Sequence, residues 1–198
     1  MIQSGQNFPL YGFMIRILCL FATLAIGAVP ASAAETLRIN PLKTRIAFEI
    51  DAVGWPTTKG SFREFQGSIT VDLKIPQKST VSFNVKSASV EAGSRSVTGF
   101  IKSASMLNTD QFPDIRFRSR SVEKTSESVV RVTGDLTFMG QTRSVSFVVD
   151  VDQQQYVQRK LGFSARGTIL RSEFGFISGQ PLISDSVRLL VSTEADVE

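Results

Sequence analysis

Ser96-Val97-Thr98-Gly99-Phe100-Ile101-Lys102-Ser103-Ala104-Ser105-Met106-Leu107-Asn108-Thr109-Asp110-Gln111-Phe112-Pro113-Asp114-Ile115-Arg116-Phe117-Arg118-Ser119-Arg120 changes its period halfway along. Val97, Phe100, Ile101, Ala104 and Leu107 fall at helical spacing, which predicts a short amphipathic helix over Ser96–Leu107. Asn108 and Asp110 supply turn chemistry, and Phe112-Pro113 forces extended backbone. Ile115 and Phe117 then alternate with Arg116, Arg118 and Arg120, as in a strand with one face buried. No other part of the chain beyond its leader reads as helix. One helix therefore interrupts a succession of strands, and its apolar face has to cover an end or a side of their sheet.

Outward from this stretch the alternation recurs. Ile46, Phe48 and Ile50 share one parity, as do Phe65, Gly67, Ile69 and Val71, and then Val81, Phe83 and Val85. After the helix come Val130, Val132, Gly134, Leu136 and Phe138, then Val145, Phe147 and Val149, then Leu161, Phe163 and Ala165, then Val187, Leu189 and Val191. About eight strands result. Short polar connections at Ile75–Lys78, Lys124–Glu127 and Met139–Thr142 imply up-and-down order. Such strands remove their edges best by closing into an eight-stranded antiparallel barrel, an all-β fold; a two-sheet sandwich carries the same local signals.

Phe48, Phe65, Phe83, Phe117, Phe138, Phe147 and Phe163 all fall on the inward parity. They can line an elongated apolar slot or fill a packed aromatic core. Gly67 and Gly134, on the same face, either make room for a ligand or let the barrel bend.

At the start of the chain, Arg16, the apolar run Ile17–Val29 and Ala31-Ser32-Ala33 form a secretory signal peptide with cleavage expected after Ala33. The competing reading is an uncleaved anchor, but the run is shorter than the roughly 20 residues a spanning helix needs. Met14 is a plausible initiator, since residues 1–13 carry no charged side chain. Removing 33 of 198 residues leaves a single 165-residue domain, residues 34–198, with a net charge of about +3 and no cysteine, because Cys19 departs with the leader. That charge is too mild for nucleic acid, though it permits transient contact with a membrane surface.

Histidine is absent, which excludes serine-histidine and cysteine-histidine catalysis and removes the commonest metal ligand. No catalytic residue, metal site or cofactor is expected. Asp150 and Asp152 share a polar face and read as solvated. Arg116, Arg118 and Arg120 read as an outer stripe that discourages edge pairing. Arg171 is either half of a local ion pair with Glu173 or Asp185, or a head-group contact at the barrel mouth.

Several fragments occur together in a recognisable order. They are Gly54 with Thr58-Lys59-Gly60-Ser61-Phe62, Phe65 and Gly67; Ser89-Val90 before Gly93; Ile101-Lys102-Ser103; and Phe112-Pro113-x-Ile115-x-Phe117-x-Ser119. Gly134-x-Leu136-Thr137, Gly140-x-Thr142, Arg171-Ser172-x-Phe174-Gly175 and Asp185-x-Val187 follow. Together they resemble the YceI-like family of periplasmic polyisoprenoid-binding proteins over about Leu37–Ala195. The resemblance implies a lipocalin-like barrel, not an enzyme, that holds an isoprenoid or quinone-like lipid as ligand rather than cofactor, as a monomer or homodimer. On that basis Phe100 and Leu107 of the helix join the seven phenylalanines as cavity lining, with the helix as side wall or lid. Trp55 and Arg171 become rim or head-group contacts, Trp55 reading equally as an exposed loop anchor. The chain departs from the family where relatives carry histidines, at Ala52 or Val53 and at Val97-Thr98-Gly99-Phe100, so its polar entrance is replaced by apolar residues. A ligand-free, filled barrel that presents the arginine stripe to a protein partner is the alternative.

Overall fold

The structure, a computed structural model, describes residues 35–152 and 160–196. Eleven antiparallel strands form one sheet: β1 (Glu35–Arg38), β2 (Thr44–Ala52), β3 (Trp55–Phe62), β4 (Phe65–Val71), β5 (Thr80–Lys86), β6 (Val90–Ala92), β7 (Asp114–Lys124), β8 (Val129–Phe138), β9 (Gln141–Asp152), β10 (Lys160–Leu170) and β11 (Ile183–Asp196). The neighbour order is β1-β4-β5-β7-β8-β9-β10-β11-β2-β3-β6. That order passes the same place twice. β4 pairs with β1 and β5, while β3, which precedes it in the chain, pairs with β2 and β6. β1–β2, β3–β4 and β5–β6 are therefore three staves, each broken once, and five unbroken strands complete a ring of eight.

Hydrogen bonds cross these breaks. Arg63 N donates to Ser89 O (3.2 Å) and Lys86 N to Glu64 O (2.9 Å), so the second and third staves stay zipped where both bend, and Ile39 N donates to Gly67 O (3.2 Å) beside the first break. The ladder closes through β11 on β2, from Thr193↔Thr44 to Ile183↔Ala52. The count of eight strands thus becomes eleven hydrogen-bonded segments in eight staves, and ring closure excludes the sandwich.

The helix α1 is shorter than its periodicity implies, covering Arg95–Lys102. Ser94 caps it, its side chain accepting from Val97 N, and Ser103 turns to extended backbone (φ −61°, ψ 163°) with its hydroxyl on Phe100 O at 2.7 Å. The stop removes Ala104 and Leu107 from the helical stripe. Ile101 is buried and Leu107 reaches the same core from the following turn, but Phe100 is 52% exposed. Helix α1 and the turns to Phe112 lie over one end of the barrel, where Ile101, Met106, Leu107, Phe138, Phe174 and Phe176 form the main packed core.

On the outer face at that end, the Arg188 guanidinium donates to Asp51 (2.8 and 3.2 Å) and Glu49 (3.3 Å), while Thr57 Oγ1 donates to Asp51 at 2.6 Å. Arg188, then Thr57, hold the Asp51 carboxyl down at about 2. A depressed carboxylate stabilises the fold above its unfolded pKa, so this contribution is present above about pH 4 and lost as pH falls through about 2. An NMR titration of the Asp51 carboxyl carbon is expected to show its midpoint near 2, and Arg188→Gln should raise it only part of the way to the ordinary range, because the Thr57 bond remains. An ordinary midpoint in the unmutated protein would mean that the network does not form in solution.

Candidate functional site: a blind-ended apolar slot

A cavity of roughly 290 Å³ runs along the barrel axis. Phe48, Phe83, Phe117, Phe138, Phe147 and Phe163 line it together with Leu107, as do Phe62, Ile69, Val122, Val132, Leu136, Ile169 and Leu189. Phe48, Phe83, Phe117, Phe147 and Phe163 point inward yet remain only half-buried, because their inner faces border open space, although Phe117 and Phe147 also meet edge to face with centroids 5.3 Å apart. Phe138, Phe174 and Phe176, packed edge to face with centroids 5.5 and 6.3 Å apart, are 8%, 2% and 6% exposed. The slot is therefore closed at the helix end. Its lining reaches exposed residues at the other end, where Leu73, Lys124, Glu127 and Ser128 form a mouth at the β4–β5 and β7–β8 connections. The third connection at that end, residues 153–159, lies outside the described residues.

Glycine explains how so many phenylalanines leave space. A Cβ on Gly60 would collide with the Phe48 ring; one on Gly167 would lie 2.7 Å from the Phe147 ring, one on Gly134 2.8 Å from Phe117, and one on Gly67 3.1 Å from Phe83. Each ring lies down over a cross-strand glycine, directly opposite in three cases and diagonally for Phe117. The wall is aromatic but flat, and the axis stays clear. The glycines make room for the rings, which is how they make room inside the slot. At Gly67 and Gly134 backbone also approaches, Ser82 O at 2.5 Å and Arg118 O closer still, so only glycine fits there.

Gly60 is the informative exception, since the atoms nearest to a Cβ there are side-chain atoms, those of the movable Phe48 ring and, at 3.0 Å, Ala92 Cβ. Gly60→Ala is expected to tip Phe48 into the slot, at a cost of about 1–3 kcal/mol in stability. Thermal unfolding and the cavity volume in a crystal structure would check this; an unchanged ring and cavity would contradict it.

Two expected lining residues lie elsewhere. Phe65 stands half-buried just past the bend at residues 63 and 64 and does not reach the slot. Phe100 projects outward from α1 because the helix ends at Lys102. The helix itself is an end plug rather than a side wall. Trp55 opens β3 at the closed end, 77% exposed, away from the mouth. Phe62 and Phe176 join the lining, a position the sequence reading did not assign to them. For Phe62 the usable signal was the alternation Thr58, Gly60, Phe62, obscured by Trp55-Pro56, which reads as loop although proline is tolerated near a strand's start.

Arg171 is the least exposed polar side chain among the described residues, at 1%. Its Nε donates to Ser184 O (2.9 Å), Nη1 to Ser178 O (3.0 Å) and Nη2 to Ile183 O (3.1 Å), and the guanidinium carbon lies 4.5 Å from the Phe176 ring centroid. Burial lowers its pKa and nearby Asp185 opposes this. Asp185 accepts from Ser172 N (2.8 Å), Ser172 Oγ (2.6 Å) and Gln180 Nε2 (2.9 Å), bonds that hold its carboxyl below the usual range. No direct Arg171–Asp185 ion pair forms among the described residues, and Arg171 sits at the closed end, not at a rim. It ties the β10–β11 connection shut over the slot. Of the outer arginines, Arg116 pairs with Asp114 (2.9 Å) and Arg120 with Asp135 (2.7 Å), while Asp150 is taken up by Arg166.

A closed antiparallel barrel around an apolar slot that opens at one end is a lipocalin-like architecture. The family model described as YceI-like domain matches residues 37–195, and the chain belongs to that family. A UPF0312 protein of Pseudomonas fluorescens is 30% identical over 182 residues, covering 87% of this chain and 94% of that one. Protein YceI of Shigella flexneri is 29% identical over 178 residues, covering 88% and 93%. Among solved structures, Burkholderia cenocepacia BcnA superposes with a TM-score of 0.73 at 20% identity, covering 79% of this chain and 99% of that one. A polyisoprenoid binding domain from Saccharophagus degradans, implicated in plant cell wall breakdown, gives 0.64 at 10% identity, covering 84% and 100%. These last two similarities speak for the fold.

Proposed function

We propose that this protein is an exported, non-catalytic carrier or shield for an isoprenoid or similar long-chain lipid, taken tail-first into the slot. The observation that carries the reading is the flat aromatic wall, held open over glycines and closed at one end by the α1 plug. Burial of each CH2 contributes about 0.8 kcal/mol, so a chain of a few isoprene units outweighs the cost of association without polar contacts along its length. The polar end of such a ligand is left at the mouth, beside Lys124 and Ser128. The signal-peptide pattern ending at Ala33 supports a periplasmic carrier with residues 34–198 as the mature domain, and that compartment is aqueous, so a lipid crossing it needs shielding. The name of the Saccharophagus degradans domain agrees with an isoprenoid ligand. Glu173 and Asp185, which flank the β10–β11 connection, do not suggest acid-base chemistry, since Asp185 is committed to Ser172 and Gln180.

The test is native mass spectrometry of protein recovered gently from its own periplasm, followed by extraction and identification of any released mass. A stoichiometric long-chain lipid is the expected result. An empty protein that also gains no mass on incubation with polyprenyl lipids would overturn the reading.

A further inference from the structure

We infer that the closed end of the barrel docks on an anionic membrane surface. Two connections meet there, which with the strand ends beside them span residues 52–58 and 174–184, and neither span contains Asp, Glu, Lys or Arg, although 20% of the whole chain is charged. They are joined directly: Val53 N donates to Leu182 O at 2.8 Å, and Ala52 pairs with both Trp55 and Ile183. At their tips Val53, Trp55, Ile177 and Leu182 are 68%, 77%, 63% and 64% exposed. Isolated exposed apolar residues are ordinary, but four large ones on two adjoining uncharged loops mark a surface that leaves water in use.

The geometry favours a bilayer over a protein groove as the occupant. The residues crown loop tips rather than line a concavity, and a tryptophan among aliphatic side chains suits the head-group boundary. Helix α1, at the same end, exposes Phe100, and the side chains of its Arg95 and Lys102 have no ion-pair partner among the described residues. Of the nearby acids, Glu49 and Asp51 are engaged by Lys59 and Arg188, and Asp185 by Ser172 and Gln180; Asp110 and Glu173 are left. Arg143, at the start of β9 on the same end, bonds only to the neutral Thr142 O and Gln141 Oε1, so three cations without an ion pair face two such acids, and apolar tips beside this positive excess complement an anionic lipid surface. Docked this way, the mouth faces away from that membrane.

Trp55 is the only tryptophan in the chain, so it reports the contact by itself. With vesicles of phosphatidylethanolamine and phosphatidylglycerol, its emission is expected to shift to the blue and to be quenched by lipids brominated in the acyl chain. Leu182→Lys with Ile177→Lys, which keeps Trp55, should lower vesicle partitioning by about tenfold or more while leaving uptake of geranylgeraniol by mass spectrometry unchanged. Three results would overturn the inference: unshifted Trp55 emission at saturating lipid, vesicle binding indifferent to the double variant (which would point to a retained leader), or Trp55 shielding that depends on protein concentration without lipid, which would make this face a contact between two copies. Loss of geranylgeraniol uptake by the unmutated protein would count against the slot reading alone.

Discussion

Arg171→Ala is expected to destabilise the barrel by about 3–5 kcal/mol, which for a domain of this size lowers the melting temperature by roughly 10 °C. The side chain is 1% exposed and donates to three backbone carbonyls, those of Ser178, Ile183 and Ser184. Removing it leaves those acceptors without their partner, each at about 1–3 kcal/mol where water cannot reach, and takes away the cation over Phe176. Arg171→Lys should recover little, because an ammonium is a point and the three carbonyls need a planar fork. Asp185→Asn should cost less, since its partners Ser172 and Gln180 belong to an exposed turn. Differential scanning calorimetry of the three variants distinguishes these cases. A melting temperature for Arg171→Ala within a degree or two of the parent would show that the connection is held by other contacts.

Phe83→Asp is expected to abolish lipid co-purification while the protein still folds. Phe83 is half-buried, with its ring along the slot wall over Gly67, so an aspartate there is hydrated in the empty protein and costs only moderate stability. A hydrocarbon chain in the slot would strip that water from the carboxylate, and the desolvation of a charge against apolar groups corresponds to a loss in affinity of about a hundredfold or more. Phe83→Leu keeps the wall apolar and should retain the ligand. A folded Phe83→Asp protein that still carries a stoichiometric lipid would place the ligand outside the slot.

Most of the barrel was legible because period-two alternation survives tertiary packing: the parity that put Phe48, Phe83, Phe117, Phe138, Phe147 and Phe163 on one face is the parity they adopt. Elements whose identity depends on their neighbours were not. β1 and β6, of four and three residues, are too short to display a period and exist as strands because β4 and β3 offer them an edge. Phe65 obeys the same parity, but the bend at residues 63 and 64 carries it off the axis, and nothing in Arg63-Glu64 announces a bend. The helix stripe overran because serine at position 103 suits either helix or cap, and its bond to Phe100 O decides the matter only once the turn has formed. The role of Arg171 was hidden most deeply, as its three acceptors are backbone groups and leave no trace in residue type.

The glycine-backed aromatic wall has a consequence for selectivity. A cavity with one stopped end acts as a depth gauge. Affinity for a homologous series of chains should climb by a constant factor per carbon until the tail touches the floor at Phe176 and Met106, and then level off, because further carbons stay in water whatever their number. The point of levelling measures the depth of the barrel in units of carbon atoms, and Gly60→Ala, by tipping one ring inward, should move it to a shorter chain.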